Sequence, residues 1–179
     1  MSADDHLDEL AVRAAGGDRV ALSDLVRTTQ ADVWRLCAHL VDRASADDLT
    51  QDVYVRAVTA LPRFRGESPV RLWLLGIARH VCVDEVRRRG RRRRILGRTP
   101  PEPAVVADPS GHVDLADLLT GLDPDQRAAF VLTQVLGLRY AEAAGALGCP
   151  VGTVRSRVSR ARQALVQSIA VPEDDAAAD

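Results

Sequence analysis

Lysine is missing from this 179-residue chain, whose 24 basic side chains are all arginine against 25 acids. Aromatic residues are just as thin, at 3%, too few for a strand-rich sandwich or a sugar-binding cleft. Three cysteines, Cys37, Cys82 and Cys149, are odd in number and widely spaced, which excludes a disulfide framework. No apolar run approaches the ~20 residues that cross a bilayer. The acidic start, Met1 to His6, lacks the basic and then apolar pattern of a secretory leader. A cytoplasmic protein with no membrane contact is expected. Cys37 with His39, and His80 with Cys82, look briefly like metal ligands. A spacing of two on a helix turns side chains about 200° apart, so buried thiols are expected instead of a metal site. A Gly-rich phosphate loop and a carboxylate cluster are also lacking, so neither a cofactor nor an enzyme is expected.

What is present is helical. Apolar residues make up 46% of the chain and charged ones 27%, and Ala, Leu and Arg, all good helix formers, dominate. Asp18 caps a predicted helix over 18–42, with Leu22, Leu25, Val26, Val33, Leu36, Cys37 and Leu40 recurring at three- and four-residue steps. Ser45 to Asp48 reads as a capping box for a second helix that Pro62 stops. Ser68 and Pro69 read as the cap and first turn of a third, about 69–89. That third helix is apolar nearly all round and is expected at the centre of a bundle. Residues 97–112 hold four of the nine prolines and read as a semi-extended linker. A short helix over 114–122, then helices over 124–136, 139–147 and 151–169, complete an all-α fold of two small domains.

Charge is unevenly placed along this frame. Residues 1–96 carry 17 Arg against 14 acids (+3), 97–112 carry one against two (−1), 113–170 six against five (+1), and 171–179 four acids alone (−4). The tail reads as disordered, and its charge is expected to repel nonspecific DNA. Arg87 to Arg94 contain seven arginines, one glycine and no acid. Such a run is either a solvated helix end or a phosphate-binding surface, and arginine pairs bidentately with phosphate.

The pair 139–147 and 151–169, joined by Gly148-Cys149-Pro150, has helix-turn-helix form. Projected at ~100° per residue, Val151, Val154, Val158, Ala161, Leu165 and Ile169 form an inner stripe. Gly152, Ser156, Ser159, Arg160 and Gln163 lie opposite, flanked by Thr153, Arg155 and Arg157. Small hydroxyls and arginines are what a helix needs to reach base edges in a major groove, although a merely solvated face is the plain alternative.

These segments together resemble the extracytoplasmic-function sigma factors, which direct bacterial RNA polymerase to promoters. The likeness covers about residues 8–168. ADDLTQDVYVRA (46–57) resembles the family's clamp-binding helix, RFRGESPVRLWLLGIARHVCVDEVRRR (63–89) its minus-10 segment, and residues 122–162 its minus-35 domain. The resemblance implies domains at 8–96 and 113–170 and places Asp48, Gln51, Asp52 and Arg56 against the clamp of the large polymerase subunit. It implies that the loop from Phe64 to Leu72 lines a pocket for a flipped base, with Phe64, Arg65, Arg79, His80, Arg87 and Arg88 toward the minus-10 DNA. It implies minus-35 base reading by Arg155, Ser156, Ser159 and Arg160, with Thr153 and Arg157 on phosphates. Partners implied are core RNA polymerase, promoter DNA and, as in many members, an anti-sigma protein. The chain departs from the family pattern at His80 (commonly Asn), Leu72 (often Thr or alike), Asp52 (Glu) and Tyr54 (Phe). Trp73, on the apolar stripe, is expected in the core.

Two other readings compete. A regulator using only the helix-turn-helix would bind its operator without polymerase, and leaves residues 46–57 and the arginine run unexplained. A nucleic-acid-modifying enzyme lacks any recognisable catalytic set.

Overall fold

The computed structural model describes residues 3–95 and 115–169, and the expected linker and tail lie outside them. Eight helices make up the described fold: α1 (Ala3–Ala15), α2 (Arg19–Leu40), α3 (Ala46–Ala60), α4 (Val70–Ile95), α5 (Leu115–Thr120), α6 (Pro124–Phe130), α7 (Tyr140–Leu147) and α8 (Val151–Ile169). Among the described residues there is no strand, and no helix is long and apolar enough to cross a membrane.

Helix α1 lies outside the predicted set. Its Leu7, Leu10 and Ala11 are buried against Ala21, Leu25, Leu61, Val70 and Leu74, closing one end of the first bundle. It also does the work expected of Ser68, because Asp8 Oδ1 accepts from Val70 N at 2.6 Å and so caps α4 from a distant helix. Asp18 caps α2 as expected, accepting from Val20 N and Ala21 N at 2.9 and 3.0 Å. The expected box at Ser45 does not form. Asp42 accepts from Ser45 N instead, capping a 3-10 turn at 43–45, and the Ser45 hydroxyl accepts from Arg89.

Helix α4 is the central element, packed by α1, α2, α3 and α7. It runs six residues beyond its predicted end. Arg89 explains the excess: it folds back to pair with Glu85 and Asp42, so the helix is held where the sequence shows only like charges. Gly90 sits inside this stretch without ending it.

In the second half, Asp123 caps α6 by accepting from Asp125 N and Gln126 N. The helix then widens into a π turn over 131–135 and stops at Gly137, which takes φ 70°. Gly148, at φ 62°, ends α7 in the left-handed conformation that glycine adopts without strain and turns the chain into α8. Val154, Val158, Ala161 and Leu165 form the buried stripe of α8, as the projection requires. Val151 is half-buried and Ile169 is exposed, so the stripe is shorter than projected.

The two halves are not independent. Val33, Leu36, Leu75 and Ala78 share one core with Leu119, Leu132, Ala146 and Leu147. Helix α7 lies on α4 at Gly76, where an added Cβ would meet the Ala146 carbonyl at 3.8 Å. Arg71 stitches the joint further, donating to Asp32 at 2.7 Å and to the Leu136 carbonyl at 3.3 Å.

Candidate nucleic-acid interface

Helix α8 is aimed by its core stripe. With Val154, Val158 and Ala161 buried, Arg155, Ser156, Ser159 and Arg160 must face outward, and all four are exposed. Ser156 Oγ donates to the Thr153 carbonyl at 2.9 Å, which leaves its lone pairs facing out. Thr153 is half-buried at the flank. Arg157 is turned inward: it pairs with Asp125 at 2.5 Å and reaches Cys149 Sγ at 3.5 Å. Gly152 is exposed with open space around its Cα, so backbone near the N-terminus of α8 is approachable.

The residues expected at minus-10 follow the start and one face of α4. Phe64 and Trp73 stack at a tilt, ring centroids 5.0 Å apart, and both are half-buried. Trp73 thus packs on the first core with one side against a groove, and is less enclosed than expected. Arg65 is exposed, 3.9 Å from Glu67. His80 is exposed, its Nδ1–H donating to the Gly76 carbonyl at 2.7 Å. Arg87 is exposed, while Arg88 pairs with Glu85 at 2.7 Å. Arg79 turns into the joint and pairs with Asp125 at 3.4 Å. The groove beside Trp73, about 580 Å3, is lined by Ser68, Leu72 and His80 on one side and Gly145 to Gly148 of the helix-turn-helix on the other.

Asp48, Gln51, Asp52 and Arg56 are all exposed along α3, and Arg56 pairs with Asp84 of α4 at 3.1 Å. This polar face runs along about 12 Å of helix with its apolar side (Leu49, Val53, Ala57) buried below.

Beneath these surfaces sits a charged cluster at the base of α4. Glu85 is held below its usual range by hydrogen bonds from Arg88 and Arg89, which outweigh burial. For Asp42, burial pushes up, but hydrogen bonds from Arg89 and Ser45 override it and hold the group low. Asp125, Arg71 and Arg127, which join the halves, carry no sequence signal of their own. Each looks like an ordinary surface charge until the helices are packed.

The chain matches two known domain families: Sigma-70 region 2 over residues 25–92 and Sigma-70 region 4 over residues 112–165. A probable RNA polymerase sigma-C factor of Mycobacterium bovis is 48% identical, covering 97% of this chain and 96% of the relative. The sigma factor SigD of Mycobacterium tuberculosis is 36% identical over 95% of this chain and 87% of its own length. Among solved structures, CnrH in complex with the cytosolic domain of CnrY aligns with a TM-score of 0.71 at 30% identity, covering 89% of this chain and 94% of that one. The sigma factor RpoE of Bartonella quintana, solved with the anti-sigma factor NepR, aligns at 0.70 and 29%, covering 85% and 98%. With both promoter-reading regions matched in order and a relative alike over nearly its full length, this chain belongs to the extracytoplasmic-function sigma factors of RNA polymerase.

Proposed function

We propose that the protein binds core RNA polymerase in the cytoplasm and directs it to promoters carrying a matched pair of minus-35 and minus-10 elements. Residues 8–96 are taken as the unit that binds polymerase and opens the minus-10 element. Residues 113–170 are taken as the minus-35 reader, and 97–112 as the linker between them.

The observation that carries this reading is the outward face of α8, where Arg155, Ser156, Ser159 and Arg160 stand exposed above a buried apolar stripe. Arg160 or Arg155 can meet guanine O6 and N7 bidentately, and the serines suit any base edge. Thr153 and Arg157 serve phosphates, which fix register without specifying sequence. At minus-10, Phe64 and Trp73 offer an aromatic surface for an unstacked base, with Arg65, Arg79, His80, Arg87 and Arg88 for the strands. The exposed polar face of α3 (Asp48, Gln51, Asp52, Arg56) docks on the clamp of the large polymerase subunit. Because RpoE of Bartonella quintana was solved with the anti-sigma factor NepR, an anti-sigma protein is a proposed partner here too.

The packed halves add a requirement. Elements 25 base pairs apart are separated by about 85 Å of duplex, yet Arg79 and Arg157 converge on one carboxylate. Both readers cannot engage a promoter from this arrangement. The chain must open between α4 and α7 when it joins polymerase and DNA. Alanine at Asp48 and Gln51 tests the docking: promoter-dependent transcripts should fall while binding to isolated minus-35 DNA is unchanged.

A further inference from the structure

A cavity of about 330 Å3 opens along the seam between the halves. Leu40 of α2, Cys82, Val83 and Val86 of α4, and Pro124 and Ala128 of α6 give it a largely apolar wall. Its volume is that of a small-molecule pocket. Arg79, Arg87, Arg127 and Asp125 supply the charge. Asp125 already has both oxygens engaged by Arg79 and Arg157, so it adds little net negative field.

Arg127 is the unusual member. It is half-buried and has no carboxylate partner among the described residues. Its guanidinium donates only to backbone carbonyls, those of Thr120 at 2.5 Å, Leu40 at 3.4 Å and Leu122 at 3.5 Å. Its Nε, like that of Arg79, is buried without a hydrogen-bond partner. Burial lowers the pKa of Arg127, which is the mark of a charge held in poor solvent. A desolvated cation without a counter-ion is costly, and the wall beside it is apolar. A neutral apolar guest would leave that cation unmatched, and a bare inorganic anion would leave the apolar wall uncovered.

We infer that this seam cavity binds a small organic carboxylate with an apolar body of roughly eight carbons, whose head pairs with Arg127. Because α2 and α4 form one wall and α6 the other, only the packed chain presents the whole site. Occupancy therefore favours the packed form by linkage. The consequence, that such a ligand opposes initiation, rests on the proposed function, whereas binding itself does not.

The test is calorimetric titration of the full chain with sodium octanoate, using octan-1-ol as the uncharged match. Octanoate should bind one site with Kd in the range of about 0.1–1 mM, and octanol at least about tenfold more weakly. Arg127→Met, which keeps most of the stem, and Val83→Trp, which fills the cavity and leaves Arg127 in place, should each weaken octanoate at least about tenfold. The second variant is needed because Arg127→Met also removes three carbonyl contacts. Equal affinity for octanoate and octanol, undiminished binding by a folded Val83→Trp chain, or no heat at 10 mM octanoate would overturn the site. In run-off transcription with core polymerase, saturating octanoate should raise the chain concentration for half-maximal output at least about threefold. Binding by calorimetry with unchanged output would overturn the closing role alone. Absence of any promoter-dependent transcript without octanoate would count against the proposed function and leave the binding result standing.

Discussion

Arg79 of α4 and Arg157 of α8 donate to opposite oxygens of a single carboxylate, Asp125, at 3.4 and 2.5 Å. One of these arginines comes from the surface assigned to minus-10 DNA and the other from that assigned to minus-35 DNA. The carboxylate gives each the kind of partner that a phosphate oxygen would otherwise supply.

Asp125→Asn should therefore loosen the joint and free both arginines. Each pair is partly exposed and contributes on the order of 0.5–1 kcal/mol, so with both released the free chain should bind a minus-35 duplex about five- to thirtyfold more tightly. Fluorescence anisotropy measures this directly, and equal binding by parent and variant would show that the pair does not restrain the reader.

Base reading by α8 has a different signature. Arg160→Ala should cost ~1–3 kcal/mol at the preferred minus-35 sequence and relax discrimination at one base. An equal loss on all sequences would reduce Arg160 to a phosphate contact. Competition binding against single-base variants of the site separates the two.

The cluster at the base of α4 predicts an acid-labile first half. Asp42 and Glu85 have folded-state pKa values held below their ordinary ones. The unfolded chain therefore takes up protons first as pH falls. Their stabilisation is complete above the ordinary carboxylate range near pH 4 and is lost as pH drops through the lowered folded values. Arg89→Met should destabilise the chain by about 1–2 kcal/mol at neutral pH and flatten this acid limb. Urea melts between about pH 2.5 and 7 decide it.

Tyr54 is a partly buried phenol on α3. Its hydroxyl lies 2.8 Å from Thr29 Oγ1, which itself donates to the Leu25 carbonyl, so the phenol is the donor. Burial pushes its pKa to about 12. Stability from the neutral phenol is present below the unfolded value near 10 and fades as pH rises toward the folded one. Tyr54→Phe should cost about 0.5–1.5 kcal/mol, since it removes the donor and keeps the ring. Ultraviolet difference titration of the parent chain against Tyr54→Phe should show the Tyr54 phenol ionising well above its ordinary value near 10.

Much of this was legible in the residues. Asp18, Asp123 and Gly148 act through neighbours two or three positions away, so their caps and turn are written locally. The projection of α8 likewise separated Val154 and Val158 from Ser156 and Arg160, because one helix face must be dry. What escaped depends on distant partners. Asp8 caps α4 across the bundle, and the Ser45 box gave way because Asp42 sits closer to the turn. Arg89 extends α4 by reaching a carboxylate 47 positions back. The Leu7, Leu10 and Ala11 spacing did carry a helical signal for α1, in a segment whose acidic surface masks it. The joint at Gly76, Arg71 and Asp125 has no local pattern at all.

The most direct measurement is run-off transcription with core RNA polymerase on a pool of randomised promoters, comparing the parent chain with Asp48→Ala/Gln51→Ala. The account predicts transcripts that share a minus-35 and a minus-10 element and that fade in the double variant. Specific DNA binding without polymerase, and no transcripts with it, would contradict the account and make the chain a helix-turn-helix regulator.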